Sequence, residues 1–212
     1  MARTRKIERV PKNGQKNFYL IDTNFLVNKF IPVEYITKPY ERERVQRAQN
    51  WWKEIDSQLK TETAFIYIPD LCIAEAFKVL AKKYYVDGYF NKTVDLKKAR
   101  DALRQFLSAP TKNLQSQNRK IMVHDISTSR DIIIAVDRFN EVFLKSNLEA
   151  SVVDLIVLST AKYLIDFFHI PKTYLHIVTM DTNLWKGSKK FTDIPTAFNP
   201  NTPSELSEKI FI

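Results

Sequence analysis

Four short segments, at residues 18–21, 64–68, 121–126 and 174–180, read as strands and are separated by longer segments whose apolar residues recur every three or four positions, the period of helices. The clearest helical segment is 40–59, where Val45, Ala48, Trp52, Ile55 and Leu59 share one face. A second opens at Pro69 and Asp70, with Asp70 as its N-cap, and runs to residue 85. Asp95 is expected to cap a third, whose apolar face is Leu96, Ala99, Leu103, Phe106 and Leu107, and further helices are expected over 129–144 and 152–168. Thr23 with Asn24 reads as the turn out of the first strand, and the polar stretch 110–120 reads as a loop. Strands alternating with helices predict an α/β domain around a mostly parallel sheet.

With 212 residues, 44% of them hydrophobic, the chain is long enough for one well-buried core and short for two. Residues 1–16 read as a flexible basic arm, 17–191 as the folded domain with an enlarged segment at about 86–120, and 192–212 as a C-terminal tail with three prolines. No run of about 18 apolar residues argues for a membrane span. The basic start has no apolar stretch behind it, so it does not read as a secretory signal. Cys72 is the sole cysteine, which excludes an internal disulfide and a cysteine-based zinc site, and a reducing cytoplasmic setting is expected. The net charge of +9 points to a polyanionic partner. Lys186, Lys189 and Lys190 add positive charge just after Asp181.

Against that background four acids stand out. Asp22 ends the first apolar run, Glu75 lies within Leu-Cys-Ile-Ala-Glu-Ala-Phe, Asp154 interrupts Ser-Val-Val-Asp-Leu-Ile-Val-Leu, and Asp181 ends the last apolar run. A buried carboxylate is costly unless it is paired or binds a metal. Each has a local alternative: Asp22 as a turn or capping residue, Asp181 as a turn residue, Asp154 as part of a capping box with Ser151, and Glu75 as an intrahelical partner of Lys78. Glu75 lies past the first helical turn, where capping no longer accounts for it. In parallel sheets, ligands sit beyond the carboxyl ends of strands near a switch in strand order. Asp22 and Asp181 both occupy such ends and are expected to be neighbours in space. An all-oxygen donor set favours magnesium or manganese over zinc, and His124, His169 and His176 are not spaced as ligands and read as structural.

The ordered set Ile-Asp22-Thr-Asn, Glu75 in a helix after Ile-Pro, Asp154 followed by Leu-Ile-Val-Leu-Ser-Thr160-Ala161, and Val-Thr179-Met-Asp181 resembles the PIN-domain nucleases, over roughly residues 17–190. The resemblance implies a PIN-like, Rossmann-like three-layer sandwich. It also implies that Asp22, Glu75, Asp154 and Asp181 hold one or two Mg2+ or Mn2+ ions for phosphodiester hydrolysis, with Asn24 and Thr179 orienting the carboxylates. In the mechanism expected on that basis, Asp22, Asp154 and Asp181 bind metal, Glu75 orients the attacking water, and Lys186, Lys189 and Lys190 bind backbone phosphates. The substrate expected is RNA ahead of DNA. The toxin branch of the family (VapC-like ribonucleases) further implies a homodimer and an antitoxin partner. The basic arm, the 86–120 enlargement and the Thr-Asn-Leu-Trp185 continuation after Asp181 depart from that branch. A PIN-fold scaffold without chemistry is the competing class. A haloacid-dehalogenase-type phosphatase would want an Asp where Asn24 stands.

Overall fold

The computed structural model describes residues 16–117 and 122–202. The expected basic arm, apart from Lys16, and the end of the C-terminal tail lie outside them. Strand β1 (Asn17–Ile21) leads directly into a short helix α1 (Thr23–Asn28), and after a 3-10 turn at Val33–Tyr35 comes the long α2 (Pro39–Lys60). Then follow β2 (Ala64–Pro69), α3 (Asp70–Tyr85), α4 (Thr93–Gln117), β3 (Val123–Ile126), α5 (Arg130–Lys145), α6 (Val152–Asp166), β4 (Leu175–Val178) and α7 (Thr182–Ser188).

All four strands run parallel, in the order β3-β2-β1-β4. Chain order therefore reverses at β1, with β2 on one side and β4 on the other. Tyr19, Leu20 and Ile21 point alternately to opposite faces, and all three are buried, so helices cover β1 on both sides. The Tyr19 hydroxyl donates to Gln58 of α2 at 2.8 Å, which fixes α2 over one face. On the sheet, α6 lies against β1, β2 and β4 and carries α5 outside it, while α2 and α3 pack on β2. The outcome is a three-layer α/β sandwich around a parallel sheet, as the alternation of periods requires.

Packing explains several local choices. Trp52 stacks on Phe25 at 4.9 Å and donates its indole N–H to the Phe25 carbonyl at 2.9 Å, so the polar handle of a buried ring is satisfied while α2 is pinned to α1. Lys29 ion-pairs with Asp56 and lies over the Trp52 ring, which closes the same corner. Gly187 permits α7 to meet α5: a Cβ there would stand 2.0 Å from the Phe143 ring. Trp51 packs half-buried against Phe198.

Four features differ from the sequence reading. The turn after β1 is a full helix, α1. Helix α4 continues through Pro110 to Gln117 where a loop was expected; Lys, Leu and Gln are good helix formers, so polarity alone does not mark a loop. Asp70 is the first residue of α3 and not its N-cap, which is Pro69. Its carboxylate instead accepts hydrogen bonds from Leu71 N and from the backbone and side chain of Thr128, tying α3 to the segment after β3. Finally, the described part of the C-terminal tail packs against the sheet. Phe198 bridges Val178, donating to the Ile177 carbonyl at 2.8 Å and accepting from Thr179 N at 2.9 Å. Among the described residues no helix is long and apolar enough to cross a membrane.

Candidate metal centre

Asp22 is the residue on which the site turns. Its backbone N–H donates to the Val178 carbonyl at 3.1 Å, so it is the last residue held in the β1–β4 ladder, at the point where strand order reverses. It occupies the N-cap position of α1, yet its side chain makes no capping hydrogen bond, and the residue is 1% exposed. Helix capping therefore does not account for its carboxylate. Burial raises the pKa of Asp22 to about 7, and the nearby charges of Asp154 and then Asp181 push in the same direction, against hydrogen bonds from Thr179 and the Thr23 backbone.

Thr179 joins two of the acids. Its hydroxyl donates to Asp22 Oδ2 at 2.9 Å and accepts from the Asp181 backbone N–H at 2.8 Å. Fully buried at the end of β4, it sets the Asp22 carboxylate and the Asp181 backbone relative to each other. Asp181 itself caps α7, accepting from Leu184 N at 2.7 Å through Oδ1. Asp154 lies at the third position of α6 in a capping box. Its Oδ2 accepts from the Ser151 N–H at 2.8 Å and from the Ser151 hydroxyl at 2.7 Å, while Ser151 Oγ accepts from Asp154 N at 3.1 Å. Capping thus engages one oxygen of Asp154 and one of Asp181; among the described residues the other oxygen of each has no hydrogen-bond partner. Burial is the main cause raising the Asp154 pKa, opposed by the Ser151 hydrogen bonds and reinforced by Asp181 and Glu75. Glu75 is half-buried on α3 and faces Asp154 and Cys72 electrostatically.

The topology accordingly brings all four acids, from β1, α3, α6 and the end of β4, to one edge of the sheet. Among the described residues no three Asp, Glu, His or Cys side chains stand close enough together to hold a metal ion. By charge and oxygen chemistry alone the donor set suits a hard divalent cation, with a buried carboxylate at Asp22.

Asn24 is exposed on α1, and its side chain makes no hydrogen bond to the carboxylates. Lys186, Lys189 and Lys190 are exposed on and just after α7, and Lys189 lies over the Trp185 ring at 3.4 Å. His124 stacks on Tyr67, and His176 pairs with Asn17 at 3.1 Å, both away from the acids. Two residues near the site carried no warning in the sequence. Cys72 is buried beside Asp22 and Glu75, and burial followed by the Asp22 charge pushes its thiol well up. Arg44, on the polar side of α2, reaches the carbonyl of Met180. Nothing local separates Arg44 from the other arginines of that helix; only the packing of α2 against the rest of the fold does.

The chain is similar in fold to several solved structures. One is FitAB bound to an IR36 DNA fragment, with TM-score 0.50 and 16% identity, covering 88% of this chain and 98% of that one. Others are VapBC2 from Rickettsia felis bound to a DNA fragment from their promoter (TM-score 0.49, 14% identity, 86% and 98% covered) and FitAcB from Neisseria gonorrhoeae (TM-score 0.46, 17% identity, 86% and 97% covered). At these identities the likeness is one of fold, and the first carries it: the chain has the PIN-like three-layer α/β architecture. No protein-family model and no curated protein sequence matches the chain.

Proposed function

We propose that the protein is a divalent-metal-dependent nuclease that hydrolyses phosphodiester bonds, with RNA as its substrate. One observation carries this reading: a buried carboxylate, Asp22, makes no capping hydrogen bond at the switch point of a parallel sheet, with the Asp154 and Asp181 charges acting on it and Glu75 acting on Asp154. Asp22, Asp154 and Asp181 would hold Mg2+ or Mn2+, with Glu75 at the rim. When bound, such an ion lowers the pKa of water and offsets charge developing on a phosphate. Thr179 keeps the Asp22 carboxylate in place through its hydroxyl, and the capping contacts of Asp154 and Asp181 fix which oxygen of each faces the cleft. Glu75 orients the attacking water. Lys186, Lys189 and Lys190 supply positive charge beside Asp181 for the nucleic-acid backbone. The resemblance of the four-acid pattern to the toxin branch of the PIN nucleases supports a further reading as the toxin of a toxin–antitoxin pair, with an antitoxin as partner and a homodimer as the assembly, and a single cysteine suits a reducing cytoplasm.

The competing reading, a PIN-fold scaffold that binds without cutting, is favoured by the absence of a preformed three-residue metal cage among the described residues. Incubation of single-stranded RNA with Mg2+ or Mn2+ separates the two. The nuclease reading expects cleavage by the parent, its loss in Asp22→Asn and its suppression by EDTA. Equal cleavage by the two proteins rules out this site. No cleavage by a folded parent favours the scaffold.

A further inference from the structure

The geometry points to Arg44 as a phosphate-positioning residue beside the Asp181 end of the acidic site. It holds a backbone phosphate next to the one that is cut, and this inference rests on the nuclease reading above. Arg44 lies on α2, near no acid in sequence that belongs to the site, yet its Nη2 donates to the Met180 carbonyl at 3.1 Å. That carbonyl belongs to the peptide unit leading into Asp181, so the guanidinium is fixed beside the backbone of a proposed metal ligand.

What makes Arg44 informative is its place beside the Asp181 backbone. Helical geometry offers it Glu41 at i−3, a pairing worth a few tenths of a kcal/mol on an exposed face. Glu41 accepts from the Tyr89 hydroxyl at 2.7 Å, and Arg44 acts on the same tyrosine electrostatically. Among the described residues Arg44 has no ion pair, as is true also of Arg42, Arg100 and Arg130, but of these Arg44 alone is hydrogen-bonded next to a proposed metal ligand, through the neutral Met180 carbonyl. A half-buried arginine with most of its five donors unused, set beside the backbone of Asp181, is arranged to receive an anion from outside. The carbonyl bond limits where the side chain can go, so less rotamer freedom is lost when the phosphate arrives. Lys186, Lys189 and Lys190 are exposed, and Lys189 is held over the Trp185 ring, so they attract the backbone from the surface after α7.

The test uses the full chain and a fluorescein-labelled single-stranded RNA. Binding is read by anisotropy in EDTA from 50 to 200 mM salt, and cleavage is read separately with Mn2+. Arg44→Gln keeps a donor for the Met180 carbonyl but removes the charge. Binding is expected to weaken about tenfold, the size of one charge-assisted hydrogen bond. The slope of log affinity against log salt should shrink by about 0.7, one phosphate contact on a single strand. KM rises by a similar factor while kcat stays within about twofold, and Arg44→Lys restores the salt slope. If Arg44→Gln binds with unchanged affinity and slope but melts earlier, Arg44 is a structural clip and the proposal is overturned. A parent that shows no salt-dependent RNA binding overturns it too. A parent that binds through Arg44 but never cleaves leaves the contact standing and refutes the nuclease reading alone.

Discussion

Replacing Asp22 by Asn should stabilise the metal-free protein, and by an amount that depends on pH. The pKa of Asp22 rises from the ordinary 3.8 to about 7 on folding, through burial first and the Asp154 charge second. Between those values the folded chain holds a proton that the unfolded chain releases, so stability falls as pH rises through this window and levels off above about 7. At about 1.4 kcal/mol per pH unit, the buried acid costs the metal-free fold on the order of 4 kcal/mol at pH 8. Asparagine keeps the shape and an acceptor for the Thr179 hydroxyl but cannot ionise. Its amide group lacks a ready acceptor, a loss of about 1–3 kcal/mol that does not change with pH. The difference between variant and parent should therefore grow by about 3 kcal/mol from pH 5 to pH 8. Urea unfolding at both pH values, in EDTA and at fixed ionic strength, followed by tryptophan fluorescence, measures this directly. A difference that stays flat, or moves against the variant as pH rises, refutes the assignment of Asp22 as a buried acid held among like charges and returns it to a turn residue.

Other expectations follow from single contacts. Thr179→Val removes the donor to Asp22 and the acceptor for Asp181 N, so metal-free stability should drop by about 1–3 kcal/mol in thermal unfolding at pH 8. An unchanged melting temperature would show that the hydroxyl does not link the two acids. Gly187→Ala places a methyl 2.0 Å from the Phe143 ring and should cost about 1–3 kcal/mol, with Phe143→Leu recovering part of it. No loss would mean that α5 and α7 are not in contact there. Ser151→Ala deletes half of the α6 capping box and should lower stability by about 0.5–2 kcal/mol by urea unfolding. It leaves the Ser151 N–H on Asp154, so a full loss of metal binding in this variant would contradict the separate roles given to the two Asp154 oxygens.

Much of the fold was legible because burial on both sides forces continuous apolar strands, and β1, β2 and the long helices α2, α3, α5 and α6 carry strong periods. Helix α7 escaped notice because seven residues hold too few repeats, and its start signal, Asp181, was already read as a turn. The extension of α4 was missed because polarity was taken for irregularity. At the site, Asp22 and Asp181 could be paired in advance from their places at strand ends, since a parallel sheet collects those ends on one edge. Asp154 shows both of its readings at once, cap and neighbour of the other acids. Asn24 was placed by spacing alone, and the helical twist of α1 turns it outward to solvent. Arg44 was invisible because its role arises from a contact 136 residues away in sequence.

Calorimetric titration of the metal-free protein with Mn2+ near pH 7.5, for the parent and for Asp22→Asn, tests most directly whether the gathered acids form a metal centre. Saturable binding to the parent that is lost or greatly weakened in the variant is the expected result. Equal binding to both proteins, or no binding to the folded parent at millimolar Mn2+, contradicts it.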